Sequence, residues 1–241
     1  MKRDVFGDSF NKVLIAFVIS CCLVVTWLIP VTRLFWDYLD AMTYLTMHHF
    51  FLQGEFAQKF WAVMNSRIVD NVSHLLFISL FVVYIFSDKG KFIRERVGQV
   101  VFILVAVVLS VLISKGVQHE LSNHMSVRRD SPSVVLGHEV ALSKVLPGLK
   151  NVKDMSSRSF PGDHAMTLML LCGFIFCFIQ KTGFRVMGVV FAMIFMMPRL
   201  ISGGHWLTDL VMGSLPIAIF ALMVWLGVYG LLLKMIDRKR A

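Results

Sequence analysis

The sequence predicts an all-α, polytopic membrane protein: six transmembrane helices with outer interfacial helices. Three observations predict it. Of 241 residues, 57% are hydrophobic and 16% charged, against about 45–50% and about 25% in soluble domains. The mean hydropathy is +0.72. Six stretches carry no charged residue and lie near the roughly 20 residues that cross a bilayer core. Together these exclude a soluble enzyme, a disordered tail and a collagen-like rod. The runs do not alternate apolar with polar residues, so a membrane β-barrel is excluded as well.

The spans follow in order. Val13 to Thr32 is charge-free over 20 residues, Asn71 to Ser87 over 17, Val97 to Ser114 over 18 and Ala165 to Gln180 over 16. Val186 to Pro198 gives only 13 and reaches spanning length by continuing through Arg199 to about Gly204. Leu210 to Leu233 gives 24. The spans are set at about 13–32, 70–87, 97–114, 164–180, 185–203 and 207–233, within a single membrane-embedded domain over 1–241. Arg33 to Asp70 mixes aromatic with charged residues and reads as one or two helices lying in the headgroup plane. The first run lacks an obvious small-residue cleavage site and is long enough to span, so it is expected to be a span and not a cleavable signal peptide. Cys21, Cys22, Cys172 and Cys177 lie inside apolar runs and read as small hydrophobes.

The net charge of +9 admits nucleic acid, anionic lipid or an anionic substrate, so the position of the cations decides. Lys2, Arg3 and Lys12, then Lys89, Lys91, Arg94 and Arg96, then Lys181 and Arg185, then Lys234, Arg238, Lys239 and Arg240 flank span ends on one side. The positive-inside rule makes that side, and both termini, cytoplasmic. The partners are then a membrane and its lipids, with no nucleic acid. The outer loop from Lys115 to His164 is nonetheless rich in cations. A solvated loop near anionic headgroups and a site for a phosphorylated lipid explain that equally well.

Candidate chemistry gathers on the outer face. In Arg199-Leu-Ile-Ser-Gly-Gly-His205-Trp-Leu-Thr-Asp209, the i, i+4 spacing lets Asp209 accept a hydrogen bond from one nitrogen of His205. The other nitrogen is left as nucleophile or base, with Arg199 as a bidentate phosphoryl clamp. A buried His–Asp pair with a snorkelling Arg is the bland alternative, disfavoured because ionisable groups at membrane depth are costly. In Arg158-Ser-Phe-Pro-Gly-Asp-His164, the turn at Gly162 opens a helix at about Asp163. Its N-terminus offers an anion site, helped by Arg158 and the Ser159 hydroxyl, and His164 would serve as general acid. An ordinary helix start capped by Asp163 competes with that reading. Arg128 and Arg129 before Pro132 could clamp phosphate or belong to a solvated loop. Asn65-Ser-Arg67-Ile-Val-Asp70 reads as a polar helix cap first and as an anion contact through Arg67 second.

In this order the clusters resemble the type 2 phosphatidic acid phosphatase superfamily, whose motifs run K-x6-R-P, P-S-G-H and S-R-x5-H-x3-D. The third is matched by Pro198-Arg199-x5-His205-x3-Asp209 and the second by Pro161-Gly-Asp-His164. The first survives as Arg128-Arg129-Asp-Ser-Pro132, with Ser122 where the family has its lysine. The variants R-x-S-P, S-F-P-G-D-H, P-R-x-x-x-G-x-H-W-x-T-D and N-x-R-x-x-D resemble one branch of that family. It moves phosphate from undecaprenyl pyrophosphate to the 1-phosphate of lipid A. The resemblance spans Trp27 to Gly213 and implies an inner-membrane enzyme with a periplasmic site and no metal or other cofactor. It implies that His205 forms a phosphohistidine, Asp209 orients it and His164 protonates the leaving oxygen. Arg199, with Arg129 or Arg128, would hold the equatorial oxygens. A plain lipid-phosphate phosphatase would use the same residues. A lipid or ion transporter would place its charges near the midplane instead.

Overall fold

A computed structural model describes residues 3–87, 92–124 and 129–238. The chain is all-α. Among the described residues no strand forms beyond an isolated bridge between Ser66 and Val152. The long helices are α1 (Arg3–Leu28), α2 (Pro30–Phe51), α3 (Gly54–Met64), α4 (Arg67–Phe86) and α5 (Ile93–His124). Short turns α6 (Pro132–Val135) and α7 (Leu142–Val145) precede α8 (Asp163–Phe178) and α9 (Thr182–Ile201). A π-helical segment, Asp209–Ser214, runs into α10 (Leu215–Arg238).

The first span was expected to run to Thr32, but α1 stops at Leu28. Ile29 is extended (φ −76°, ψ 124°) and Pro30 opens α2. Proline has no N–H to continue a helix but fits its first turn. A count of charges cannot register that break. The expected interfacial segment resolves into α2 and α3. On α2, Asp40, Tyr44 and His48 are buried one turn apart, while Val31, Leu34, Phe35, Tyr38, Leu45 and Phe50 are exposed. Polar side chains inward and apolar ones outward is the pattern of a helix whose outer face meets lipid.

Five helices are long and apolar enough to cross a membrane, over Gly7–Leu28, Arg67–Phe86, Ile93–Gly116, Thr182–Ile201 and Asp209–Ile236. The fourth expected span, α8, has 16 residues, about 24 Å at 1.5 Å per residue. It falls short of the usual spanning length. Packed between α5, α9 and α10, α8 buries Leu168, Leu170, Phe174 and Ile175 completely. With them Phe77 and Phe81 of α4, Ile103 of α5 and Leu226 of α10 form the centre of the core. A helix enclosed by other helices meets little lipid, so its length need not match the bilayer.

α1, α5 and α9 end where α4, α8 and the π-segment begin. The connections holding every candidate cluster therefore gather at one end of the bundle. At the other end cations cap the helices. Arg96 donates to the Tyr84 carbonyl (3.0 Å), and Arg185 donates to the Ile179 and Phe176 carbonyls (both 2.8 Å). Carbonyls at helix C-termini have no partner within the helix, and cations there suit the dipole.

The site end is knitted by backbone acceptors. Ser133 donates to the carbonyls of Asp154 (2.5 Å) and Gly203 (2.9 Å), and Tyr44 to that of Gly137 (2.6 Å). The Val140 N–H donates to His48 Nε2 (3.3 Å), so His48 carries its proton on Nδ1, 3.0 Å from the Ile201 carbonyl. Burial holds this imidazole below the usual histidine range. Gly203 makes the turn after α9 at φ +74°, and a Cβ there would lie 2.5 Å from the Tyr44 ring and 3.0 Å from the Ser133 nitrogen. Gly203→Ala therefore adds a clash to a left-handed strain of about 1–2 kcal/mol. The variant should melt well below the parent in detergent, as followed by intrinsic fluorescence.

Candidate active site

A cavity of about 520 Å³ opens at this end of the bundle. Its floor is His164 at the start of α8, Arg199 at the end of α9, and Gly204 and His205 beyond it. Its walls are Lys115 and His119 of α5 together with Lys153, Ser156 and Arg158 of the long connection. The sequence clusters around His164, Arg199 and His205, separated along the chain, thus line one space. So do Arg158 and Asp163.

His205 precedes the π-segment. Its Nδ1 lies 2.6 Å from the Ser159 carbonyl and 3.5 Å from Asp209 Oδ2. Both neighbours are acceptors, so Nδ1 carries the proton and the lone pair is on Nε2. The expected orienter was Asp209, but the hydrogen-bonded one is the backbone of Ser159. Asp209, fully buried, accepts instead from the Trp206 N–H (2.8 Å) and from Arg129 (2.6 Å). The carboxylate still stands beside the ring and favours any positive charge that develops on it.

Arg199 was expected to clamp phosphoryl oxygens in bidentate fashion. Its fork is occupied. One nitrogen donates to both oxygens of Asp70 (2.6 Å each), and the other to the carbonyl (2.8 Å) and side-chain oxygen of Asn65. Asp70 also lies 3.7 Å from His164 Nε2 and 3.9 Å from Lys153 Nζ. Asn65 and Asp70, read first as a polar cap on α4, thus hold Arg199. Their companion Arg67 is exposed and lines a side groove. Burial, and then the Arg199 charge, hold the Lys153 ammonium below the usual lysine range, against the pull of Asp70.

Arg129, expected on phosphate, is not among the residues lining the cavity. It donates to Asp209 (2.6 Å), Thr208 (2.7 Å) and Asp40 (2.7 Å), with its guanidinium 5.1 Å from the Trp206 ring. Arg128 lies outside the described residues. The Ser159 hydroxyl is buried and donates to the Arg129 carbonyl (3.0 Å), so the residue offers His205 its carbonyl instead. Gly162, not Asp163, is the cap of α8, and its carbonyl accepts from Ser214 (2.9 Å).

Sequence reasoning did not single out Asp40, Thr208, His74 or His119. Asp40 had a signal, the Asp40–Tyr44–His48 spacing within an otherwise apolar helix. His74, one turn after Asp70, sets its ring at 76° to that of His164, with centroids 5.6 Å apart. A second cavity of about 430 Å³ runs from His164, Lys115 and Lys153 between α4, α5 and α8. Ile78, Leu104, Val107, Val111 and Leu112 make its far part apolar. A polar end joined to an apolar groove suits a ligand with a charged head and a hydrocarbon tail.

Residues 103–232 match the PAP2 superfamily. Over 215 residues the chain is 26% identical to the lipid A 1-diphosphate synthase of Escherichia coli (strain K12), covering 89% of this chain and 86% of that protein. No solved structure matches significantly. The site's stability rests on the pairing of buried Arg199 with Asp70. Asp70→Ala should cost about 3–5 kcal/mol, since an unpaired buried charge remains. Thermal denaturation in detergent measures the loss, and adding Arg199→Leu should restore part of it.

Proposed function

The chain belongs to the PAP2 superfamily, and from that premise we propose that it carries phosphate from undecaprenyl pyrophosphate to the 1-phosphate of lipid A through a phosphohistidine at His205. That it is an enzyme, a lipid phosphatase or phosphotransferase, comes with the family. The donor, the acceptor and the residue roles are the proposal. The observation that carries it is a single cavity holding His205, with its free lone pair on Nε2, beside His164 and Arg199 and continuous with an apolar groove.

In the first step Nε2 of His205 attacks the terminal phosphorus. A P–N bond forms and the P–O bond to undecaprenyl phosphate breaks, His164 giving the leaving oxygen a proton. The imidazole becomes a phosphorylated cation, matched by Asp209 and the Ser159 carbonyl. In the second step an oxygen of the acceptor phosphate attacks, the P–N bond breaks, and His164 takes back a proton. Lys115, Lys153 and Arg158 stand where the equatorial and headgroup oxygens would gather charge. Arg199 would join them by sharing its fork with the phosphate. The tail of the donor would occupy the groove between α4 and α5.

Lys153 and Arg158 are exposed at the mouth of the cavity. Water could enter there, which favours the phosphatase as a second reading. In this reading the site faces the periplasm of a bacterial inner membrane, because the positive-inside rule assigns the cation-capped end of the bundle to the cytoplasm.

Reconstitution with both lipids at matched concentration decides between transferase and phosphatase. The transferase yields lipid A with an added phosphate and little free phosphate. Equal free phosphate with and without lipid A, and no lipid gaining phosphate, identifies the phosphatase. His205→Ala should stop both products. The orientation is tested separately, in a background without the native cysteines. A cysteine at Lys150 should react with an impermeant thiol reagent in intact spheroplasts, and protection there would invert the topology.

A further inference from the structure

Asp40 lies on α2, far along the chain from His205, and is 1% exposed. A carboxylate so buried needs compensating donors. It has three. Thr208 donates its backbone N–H to Oδ1 (2.8 Å) and its hydroxyl to Oδ2 (2.5 Å), and Arg129 donates to Oδ2 (2.7 Å). The other nitrogen of the same guanidinium holds Thr208 and Asp209. One arginine thus bridges two carboxylates, and the group carries one net negative charge. Thr208 is the residue just before the π-segment, and Asp209 is its first residue. Asp40 therefore grips the start of the segment that carries Asp209, both through the backbone and through Arg129.

We propose that Asp40 is a positioning residue for the phosphoryl-transfer step, acting through Arg129 and Thr208 to hold Asp209 beside the His205 ring. The proposal rests on His205 being the nucleophile. Asp209 does not itself hydrogen-bond His205 in this arrangement, because the Ser159 carbonyl does. Its contribution is the field of a fixed charge, and a field depends on where the charge is held and on what neutralises it. Without the Asp40 charge, Arg129 would be left to Asp209 alone. Its cation would be drawn towards that carboxylate and would cancel the field at the imidazole. The interfacial helix α2 thereby becomes part of the active-site frame.

The test is steady-state kinetics of the full-length protein in detergent micelles with undecaprenyl pyrophosphate, reading phosphate released or transferred. Asp40→Asn keeps the shape and one acceptor but removes the charge. It should lower kcat by about tenfold or more with KM nearly unchanged, as expected for an interaction felt only in the transition state. In an Asp209→Asn background the same substitution should cost less than about twofold, because residues acting as a unit are not additive. Thr208→Val, which keeps the charge and removes one donor, should give a smaller loss that also vanishes in that background. Asp37→Asn on the exposed part of α2 serves as the unaffected control. Near-normal kcat for Asp40→Asn, or losses that multiply with Asp209→Asn, would overturn the proposal. If Asp40→Asn does not fold, the Thr208→Val pair decides by the same criterion. Substantial turnover in His205→Ala would instead remove the nucleophile reading on which the proposal stands.

Discussion

Two arginines, Arg199 buried and Arg129 half-buried, organise the site end of this protein. A guanidinium cannot lose its proton to escape a dry environment, so each must be met by acceptors from whatever elements surround it. Arg199 at the end of α9 is met by Asp70 and Asn65, which ties α9 to α4 and its entry turn. Arg129 is met by Asp40, Thr208 and Asp209, which ties the loop before α6 to α2 and to the start of the π-segment. Hydrophobic burial drives association of the bundle in general, without direction. These forks set which residue faces which.

The catalytic histidines of the proposed mechanism inherit their geometry from these ties. His205 is held from one side by the loop that ends at α8 and from the other by the turn that leaves α9. His164 stands on the first turn of α8, between Asp70 and His74. Neither histidine is fixed by its own helix alone, so the site exists only when α2, α4, α8 and α9 are docked. The wall cations Lys115, Lys153 and Arg158 belong to more exposed elements. In the proposed mechanism they would meet the headgroup from the mouth of the cavity while the histidines hold the reacting phosphate.

The helices were legible because charge is excluded from a bilayer and the exclusion is written residue by residue. Their ends were less so. Pro30 stops α1 while adding no charge, and α8 begins at Asp163 with only 16 residues, a length that its enclosure by neighbouring helices permits. The convergence of His164, Arg199 and His205 was legible because each stands beside a Pro or Gly turn where an apolar run begins or ends. Their partners were not. Asp40 is 89 residues from Arg129 and Asn65 is 134 from Arg199, and nothing local pairs them. The acceptor for His205 is a backbone carbonyl, which every residue possesses, so no side-chain pattern could single out Ser159. Spacing pointed to Asp209 because i, i+4 geometry holds on a helix, and His205 lies before the helix starts.

The brevity of α8 sets a depth. Four residues fewer than a usual span is about 6 Å of axial rise. A helix that short, bounded on its far side by the Lys181 turn, starts that much nearer the middle of the bundle than a full-length span from the same turn would. His164, on its first turn, is correspondingly secluded, with its side chain only 10% exposed. In the proposed reaction a phosphate would be drawn down to it from the water layer while its tail stays in the oil, and two lipids would exchange a phosphoryl group there without either leaving its leaflet. The protein would then bring the polar chemistry down to the lipid instead of lifting the lipid out.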